Sequence, residues 1–340
     1  MTKIDLITGF LGSGKTTFLR HYARYLIDRG MNIAILENDF GAINVDRMLL
    51  SDLEGESCDV EMVLGDKDYE THQRRFKTKL ITLGMLGYDR VLVEPSGIYD
   101  VDEFFDTLQE EPLNRWYQIG SVISILDAHL SENTDEETDY LLVSQLANAG
   151  KVVLSKSQEV DEKSFSRTVD HINRALEHFH CDRRLTLGEI ETKPWDQLTD
   201  ADLEGICRAG YQRADHLKLP VSREDQYDQL FYMNVEATRE ELAEDLRQIF
   251  ADPACGHVIR VKGYLNLRAD GRGHGETNHV EEEVKRAGQA GWLKVNATAD
   301  GIELSDSAQG QEVLIVIGEG LDQNRIGGYF HYAFGTDKTQ

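Results

Sequence analysis

Short apolar runs that do not alternate with polar residues mark the first half of the chain, and helical patterns follow them. Lys3–Thr8 reads as a strand, and Thr16–Arg29 then sets Phe18, Leu19, Tyr22, Tyr25 and Leu26 on one helical face before stopping at Gly30. Asn32–Glu37, Arg90–Glu94, Ser121–Leu126 and Lys151–Ser155 are further strands, with helices near Thr71–Leu86, stopped by Gly87, and Thr134–Ala149. Strands that are apolar throughout belong to a parallel sheet buried on both faces.

The pattern changes after about residue 215. Leu217–Gln229, with Pro220 and several charges, reads as a connecting segment. Leu230–Glu236 is a strand, and Thr238–Phe250 is a helix opened by a capping box, Thr238 with Glu241. His257–Leu267, Trp292–Ala297 and Val313–Ile317 read as strands, and the chain closes near Leu321–Phe334. Arg268–Gly291, rich in glycine and charge, reads as a loop. The expected organisation is an α/β domain with a mostly parallel sheet over 1–215, a linker over 216–229, and a smaller α+β domain with a largely antiparallel sheet over 230–335.

A length of 340 residues agrees with two domains, at about 100–200 residues each. Sixty-one acidic residues against 36 basic ones leave a net charge of −25. That balance argues against nucleic acid and against a membrane surface as partners, since both need basic groups to meet phosphate, and it suits cations. The chain contains no apolar stretch of the roughly 18 residues that a membrane span needs. No signal peptide is evident, and Cys58, Cys181, Cys207 and Cys255 are scattered without a CxxC pair, so a reduced, cytoplasmic protein is expected.

Residues 9–17, Gly-Phe-Leu-Gly-Ser-Gly-Lys-Thr-Thr, match G-x-x-x-x-G-K-[ST] at Gly9, Gly14, Lys15 and Thr16. Glycines at this spacing, Gly12 among them, let successive backbone N–H groups turn inward onto phosphate oxygens, and the following helix N-terminus adds positive potential. The backbone from Gly12 through Ser13 to Thr17 would cradle the phosphates, Lys15 would reach the β- and γ-phosphates, and the Thr16 hydroxyl would coordinate Mg²⁺. The motif lies between a strand and a helix, as it must. Glu37-Asn38-Asp39-Phe40-Gly41 and Glu94-Pro95-Ser96-Gly97 end the second and third strands at the same sheet edge. Asp39 and Glu94 are candidates for the Mg²⁺ shell, Glu94 also for orienting water, and Gly97 for sensing the γ-phosphate.

With these segments in place, the chain resembles the CobW-type P-loop GTPases, relatives of the nickel-insertion proteins UreG and HypB. The resemblance rests on Gly9–Thr17, Asn38-Asp39-Phe40-Gly41 followed by Asp46, Glu94-x-x-Gly97, and Gln145-Leu-Ala ahead of Val152-Val-Leu-Ser-Lys156. It continues through Val258–Leu265, Trp292–Thr298 and Val313–Asp322. It implies a GTP-hydrolysing metallochaperone or metallocentre-assembly protein. Such a protein would carry Co, Ni, Fe, Mn or Zn to a client metalloenzyme or cofactor-dependent enzyme, and a homodimer is one way to complete the site. Two alternatives stay open: a metal-free nucleotide-dependent activator, and a P-loop ATPase or small-molecule kinase.

The chain departs from the family in two places. Where the family has Asn-Lys-x-Asp, this chain reads Ser155-Lys156-Ser157-Gln158. A Gln amide offers guanine one acceptor and one donor in place of two acceptors, so GTP is expected with ATP as the alternative. Where the family has Gly-Cys-x-Cys-Cys, this chain reads Gly65-Asp66-Lys67-Asp68-Tyr69-Glu70-Thr71-His72. On a helix starting near Asp66, Asp68 and His72 would share a face, a harder ligand set suited to Mn²⁺, Fe²⁺, Co²⁺ or Ni²⁺; equally, first-turn acids are ordinary complements of the helix dipole. His274 and His279 beside Glu276, and His178-x-His180-Cys181, are weaker metal candidates. Arg74, Arg75, Lys77 and Lys79 form one dense basic run.

Overall fold

The computed structural model describes residues 1–38, 47–63, 69–130, 134–218, 228–235, 237–266, 291–299, 301–307 and 310–331. The chain divides into two compact units, Met1–Val221 and Ser222–Gln340.

In the first unit seven strands form one parallel sheet. They are β1 (Thr2–Thr8), β2 (Ile33–Asn38), β3 (Cys58–Val63), β4 (Arg90–Pro95), β5 (Tyr117–Asp127), β6 (Lys151–Ser155) and β7 (Ile190–Glu191), in the order β3-β2-β4-β1-β5-β6-β7. The helices are α1 (Lys15–Asp28), α2 (Arg47–Leu50), α3 (Tyr69–Leu86), α4 (Val101–Gln109), α5 (Leu113–Trp116), α6 (Glu136–Ala147), α7 (Glu162–His178) and α8 (Asp200–Cys207). Both sheet faces are covered, which is why β2 and β4 are buried at every position. One face packs Ile33, Ile35, Leu92, Ile123 and Val153 against Phe18, Leu19 and Tyr22 of α1 and Leu203 and Ile206 of α8. The other packs Leu36, Val91, Val93 and Val152 against α3, α4, α6 and α7 through Leu80, Phe104, Leu146 and Leu176.

The central strand is pinned by a buried ion pair. Arg90 of β4 donates to Asp5 of β1 at 2.5 Å, Tyr22 of α1 donates to the same carboxylate at 2.8 Å, and the Ser121 N–H of β5 donates to it at 2.7 Å. Asp5 is fully buried and Arg90 nearly so.

Four of these helices open on a side-chain cap. Asp100 caps α4, Asp135 caps α6, Asp161 caps α7 and Thr199 caps α8. The predicted helices 71–86 and 134–149 correspond to α3 and α6, with ends shifted by about two residues. Strands β3 and β7 were not predicted.

The second unit is an antiparallel sheet in the order β11-β10-β9-β12-β8. Its strands are β8 (Asp228–Tyr232), β9 (His257–Asn266), β10 (Trp292–Thr298), β11 (Gly301–Ser307) and β12 (Val313–Glu319). Helices α9 (Arg239–Ala251) and α10 (Gln323–Tyr329) set Leu242, Leu246, Ile249 and Ile326 on Val261, Leu265, Val295, Leu314 and Val316. The Thr238–Glu241 capping box is formed in both directions. Strand β11 was not predicted, and residues 267–290 of the expected loop lie outside the described residues. Among the described residues, no helix is long and apolar enough to cross a membrane.

Candidate functional site

The phosphate loop leaves the central strand β1 and enters α1. Gly14 is the N-cap of α1 at φ 93°, a left-handed backbone that glycine adopts without strain. It has no side chain to satisfy the first N–H groups, and the first turn, Lys15 to Phe18, carries no acid. Those N–H groups and the positive end of the helix are thus left for an anion. Lys15 is buried, and its Nζ bends back to donate to Gly9 O at 2.9 Å and Phe10 O at 3.3 Å. The ammonium is therefore held across the loop. Ser13 Oγ is buried with no hydrogen-bond partner among the described residues, a polar atom left inside the cradle.

Two carboxylates stand beside this loop. Thr16 Oγ1 donates to Glu94 Oε1 at 2.7 Å, which brings the motif hydroxyl and the β4 carboxylate to one point. Glu37 pairs in register with Glu94 across β2 and β4, so both side chains leave the same sheet face, the one that carries α1. Both are buried. A hydroxyl and two carboxylates of this kind form an oxygen-rich donor set suited to Mg²⁺. The sequence points to Asp39 at this strand end; Glu37, the acid that closes the apolar run Ile33–Leu36, is the carboxylate that the register adds. Asp39, with 40–46, lies outside the described residues.

Gly97 meets the phosphate loop directly. A β-carbon there would come within 2.6 Å of the Leu11 N, so only glycine permits this approach. The loop after Glu94 is fixed from behind by α6. Gln145 Nε2 donates to Gly97 O at 2.8 Å, and Ser96 N–H donates to Asn38 O at 2.8 Å. Ser144 Oγ donates to Asp100 at 2.7 Å and accepts from Val101 N–H, while Tyr140 OH donates to Asp100 at 3.1 Å. Ser144, Tyr140 and Asp100 were not anticipated, because helix residues that support a loop across space carry no local motif.

The expected base loop follows β6. Ser155 is buried and donates to Leu126 O at 3.3 Å. Lys156 adopts a left-handed backbone, φ 54°, and its Nζ pairs with Asp127 at 2.6 Å. Gln158 sits on an exposed 3₁₀ turn and reaches Glu159 at 3.4 Å. Trp195, which sequence reasoning did not single out, donates from Nε1 to Leu154 O at 3.2 Å.

Asp66 and Asp68 lie outside the described residues, as do His274, Glu276 and His279. His72 is buried in the first turns of α3. His178 approaches Glu136 at 3.5 Å on the surface, and His180 lines the same open hollow. All four cysteines are free and buried, and burial pushes the Cys58 and Cys255 thiols up to about 11. Among the described residues, no group of three His, Cys, Asp or Glu side chains is arranged around a common point for a metal ion. In the basic run, Arg74 pairs with Glu70, Lys77 with Glu110 and Lys79 with Glu61.

The chain is similar to the zinc chaperone YjiA of Escherichia coli, 29% identical over 47% of this chain and 50% of that protein. It is 31% identical to the zinc chaperone YeiR of the same organism, over 48% of this chain and 49% of that protein. It thus spans about half the length of the curated relatives it matches. Among solved structures, the crystal structure of Zn(II)-bound YjiA GTPase from E. coli aligns with 97% of this chain and 98% of that one, at 18% identity and a TM-score of 0.34. The family model "CobW/HypB/UreG, nucleotide-binding domain" matches residues 3–181, more than half of the sequence. With the phosphate loop, the Glu94 strand end and Gly97 in one corner of the sheet, the chain belongs to the CobW/HypB/UreG family.

Proposed function

We propose that this protein binds a nucleoside triphosphate with Mg²⁺, hydrolyses it, and uses the cycle to deliver a metal or metallocentre cofactor to a client enzyme. The observation that carries this reading is the 2.7 Å contact of Thr16 with Glu94, beside an uncapped helix N-terminus and against Gly97. The Gly12–Thr17 amides and Lys15 hold the phosphates. Thr16, Glu94 and Asp39 would hold the Mg²⁺, with Glu37 next to Glu94 on the sheet. A Mg²⁺ held there would supply positive charge to offset the negative charge of the phosphates. Glu94 orients the attacking water, and the Gly97 N–H follows the γ-phosphate. Gln145 and Ser144 keep that loop in place from α6.

GTP is the proposed nucleotide, after the family resemblance. Lys156 and Ser155 flank the base, and the exposed amide of Gln158 supports a weakened preference for guanine over adenine. The names of the relatives, zinc chaperones, support a divalent metal as cargo. Asp66, Asp68 and His72 are the proposed ligands, with a client enzyme as recipient and a cytoplasmic site of action.

Equilibrium dialysis of the full chain against Zn²⁺, Co²⁺, Ni²⁺, Fe²⁺ and Mn²⁺, with and without Mg²⁺ and GTP, tests the delivery step. Retention of one of these metals that changes with nucleotide is the expected result. Failure to retain any of them in either state would overturn the carrier reading and leave a metal-free activator.

A further inference from the structure

We propose that Trp195 is a positioning residue of the nucleotide site, tying the phosphate loop to the strand that carries the base loop. This rests on the nucleotide reading above. The Trp195 ring lies over Gly14, so close that a β-carbon on Gly14 would come within 2.7 Å of its Cη2. Its Nε1–H donates to Leu154 O at 3.2 Å, one residue before Ser155-Lys156. It forms a T-shaped pair with Phe18 of α1, with ring centroids 5.8 Å apart and planes at 69°. One rigid side chain therefore touches the N-cap of α1, the first turns of α1 and the end of β6.

The other base-loop side chains make contacts of a different kind. Ser155 donates to Leu126 O, Lys156 to Asp127 and Gln158 to Glu159. Each of these stays within the strand ends or the loop itself, whereas Trp195 reaches across to the phosphate loop. The geometry has a direct consequence for affinity. Gly14 sets the direction of the Lys15 and Thr16 N–H groups, and a shift of a few tenths of an ångström there misaims donors that must converge on one phosphate. The indole is a wall that prevents this shift, and its hydrogen bond fixes the wall to β6. Phosphate and base subsites then move as one body.

The test uses the full chain and measures affinity for GTP, GDP and ATP by calorimetry, with stability followed separately. Trp195→Ala removes ring and donor; Trp195→Phe keeps a ring over Gly14 and loses the bond to Leu154 O. Leu203→Ala, on α8 in the same core, loosens that core without touching Gly14. Trp195→Ala is expected to weaken all three nucleotides by about tenfold, with Trp195→Phe recovering only part of the loss because it lacks the bond to Leu154 O, and Leu203→Ala binding as wild type. Equal affinity in Trp195→Ala and wild type, or an equal loss in Leu203→Ala, would overturn the assignment.

Should Trp195→Ala fail to fold, a spectroscopic arm decides. The remaining tryptophans are Trp116 and Trp292, and a chain carrying Trp116→Phe and Trp292→Phe emits from Trp195 alone. A shift of that emission on adding Mg²⁺ and GDP is expected, and an unchanged spectrum in a chain that binds GDP overturns the proposal. A wild-type chain that binds no nucleotide at all overturns the reading on which it rests, and the two failures are thereby distinguished.

Discussion

Thr16, Glu94 and Gln158 show how differently single residues carry chemistry along one sheet edge. Thr16 and Glu94 are 78 positions apart in the chain and 2.7 Å apart in space, and both were legible because each ends a recognisable strand or opens a recognisable helix. Gln158 was legible as a departure, and it lies exposed on its turn, in contact with Glu159. If it reads the base, Gln158→Asp supplies the second acceptor for guanine and raises the GTP-over-ATP affinity ratio by about tenfold or more. Competition of unlabelled GTP and ATP for a labelled nucleotide measures that ratio, and no change would remove Gln158 from the base site. Glu37 and Trp195 were less legible. A lone acid at a strand end and a lone aromatic after a two-residue strand have no spacing rule, so only the sheet register and the approach to Gly14 brought them into the picture.

At the scale of elements, the buried strands of the parallel sheet were the easiest to read, since burial on both faces demands continuous apolar runs. The strands missed share a cause. Strand β3 alternates buried and partly exposed positions at one sheet edge, β7 has two residues at the other, and β11 is a polar edge strand of the antiparallel sheet. Edge strands carry charge and polarity, and so resemble loops in sequence. Asp5 and Arg90 were also hidden, because a charge inside an apolar strand looks like noise until its partner is known. Their pairing holds β1, β4, β5 and α1 together from inside. Arg90→Met leaves the buried Asp5 carboxylate without its counter-charge, with only the Tyr22 and Ser121 donors remaining, at an expected cost of about 3–5 kcal/mol. Urea unfolding followed by far-ultraviolet circular dichroism measures it, and a loss below about 1 kcal/mol would mean that the pair is not what secures the central strand.

Across the whole molecule, the net charge of −25 coexists with local sites that hold their acids in defined pairs. Asp252 in the second unit is an example. The Tyr329 hydroxyl, the Ala254 N–H and the Arg325 guanidinium hold its carboxyl down to about 2. The folded value lies below the ordinary unfolded value near 4, so the stabilisation is present above that pH and is lost as pH falls through 2. Thermal melts between pH 5 and about 2 should show the second unit losing stability in this window, and Asp252→Asn should flatten that part of the curve. An unchanged slope in the variant would assign the acid sensitivity to other carboxylates.

In the proposed function, the corner formed by Thr16, Glu94 and Gly97 performs hydrolysis as well as binding. Phosphate release at saturating Mg²⁺ and GTP, compared between the wild-type chain and Glu94→Gln, tests it most directly. Glutamine keeps an acceptor for the Thr16 hydroxyl and removes the carboxylate that orients water. A fall in kcat of about 10²–10⁴-fold is expected at saturating Mg²⁺ and GTP, with a weaker apparent affinity for Mg²⁺ because Glu94 also belongs to the proposed Mg²⁺ shell. Equal kcat in the two chains would contradict it.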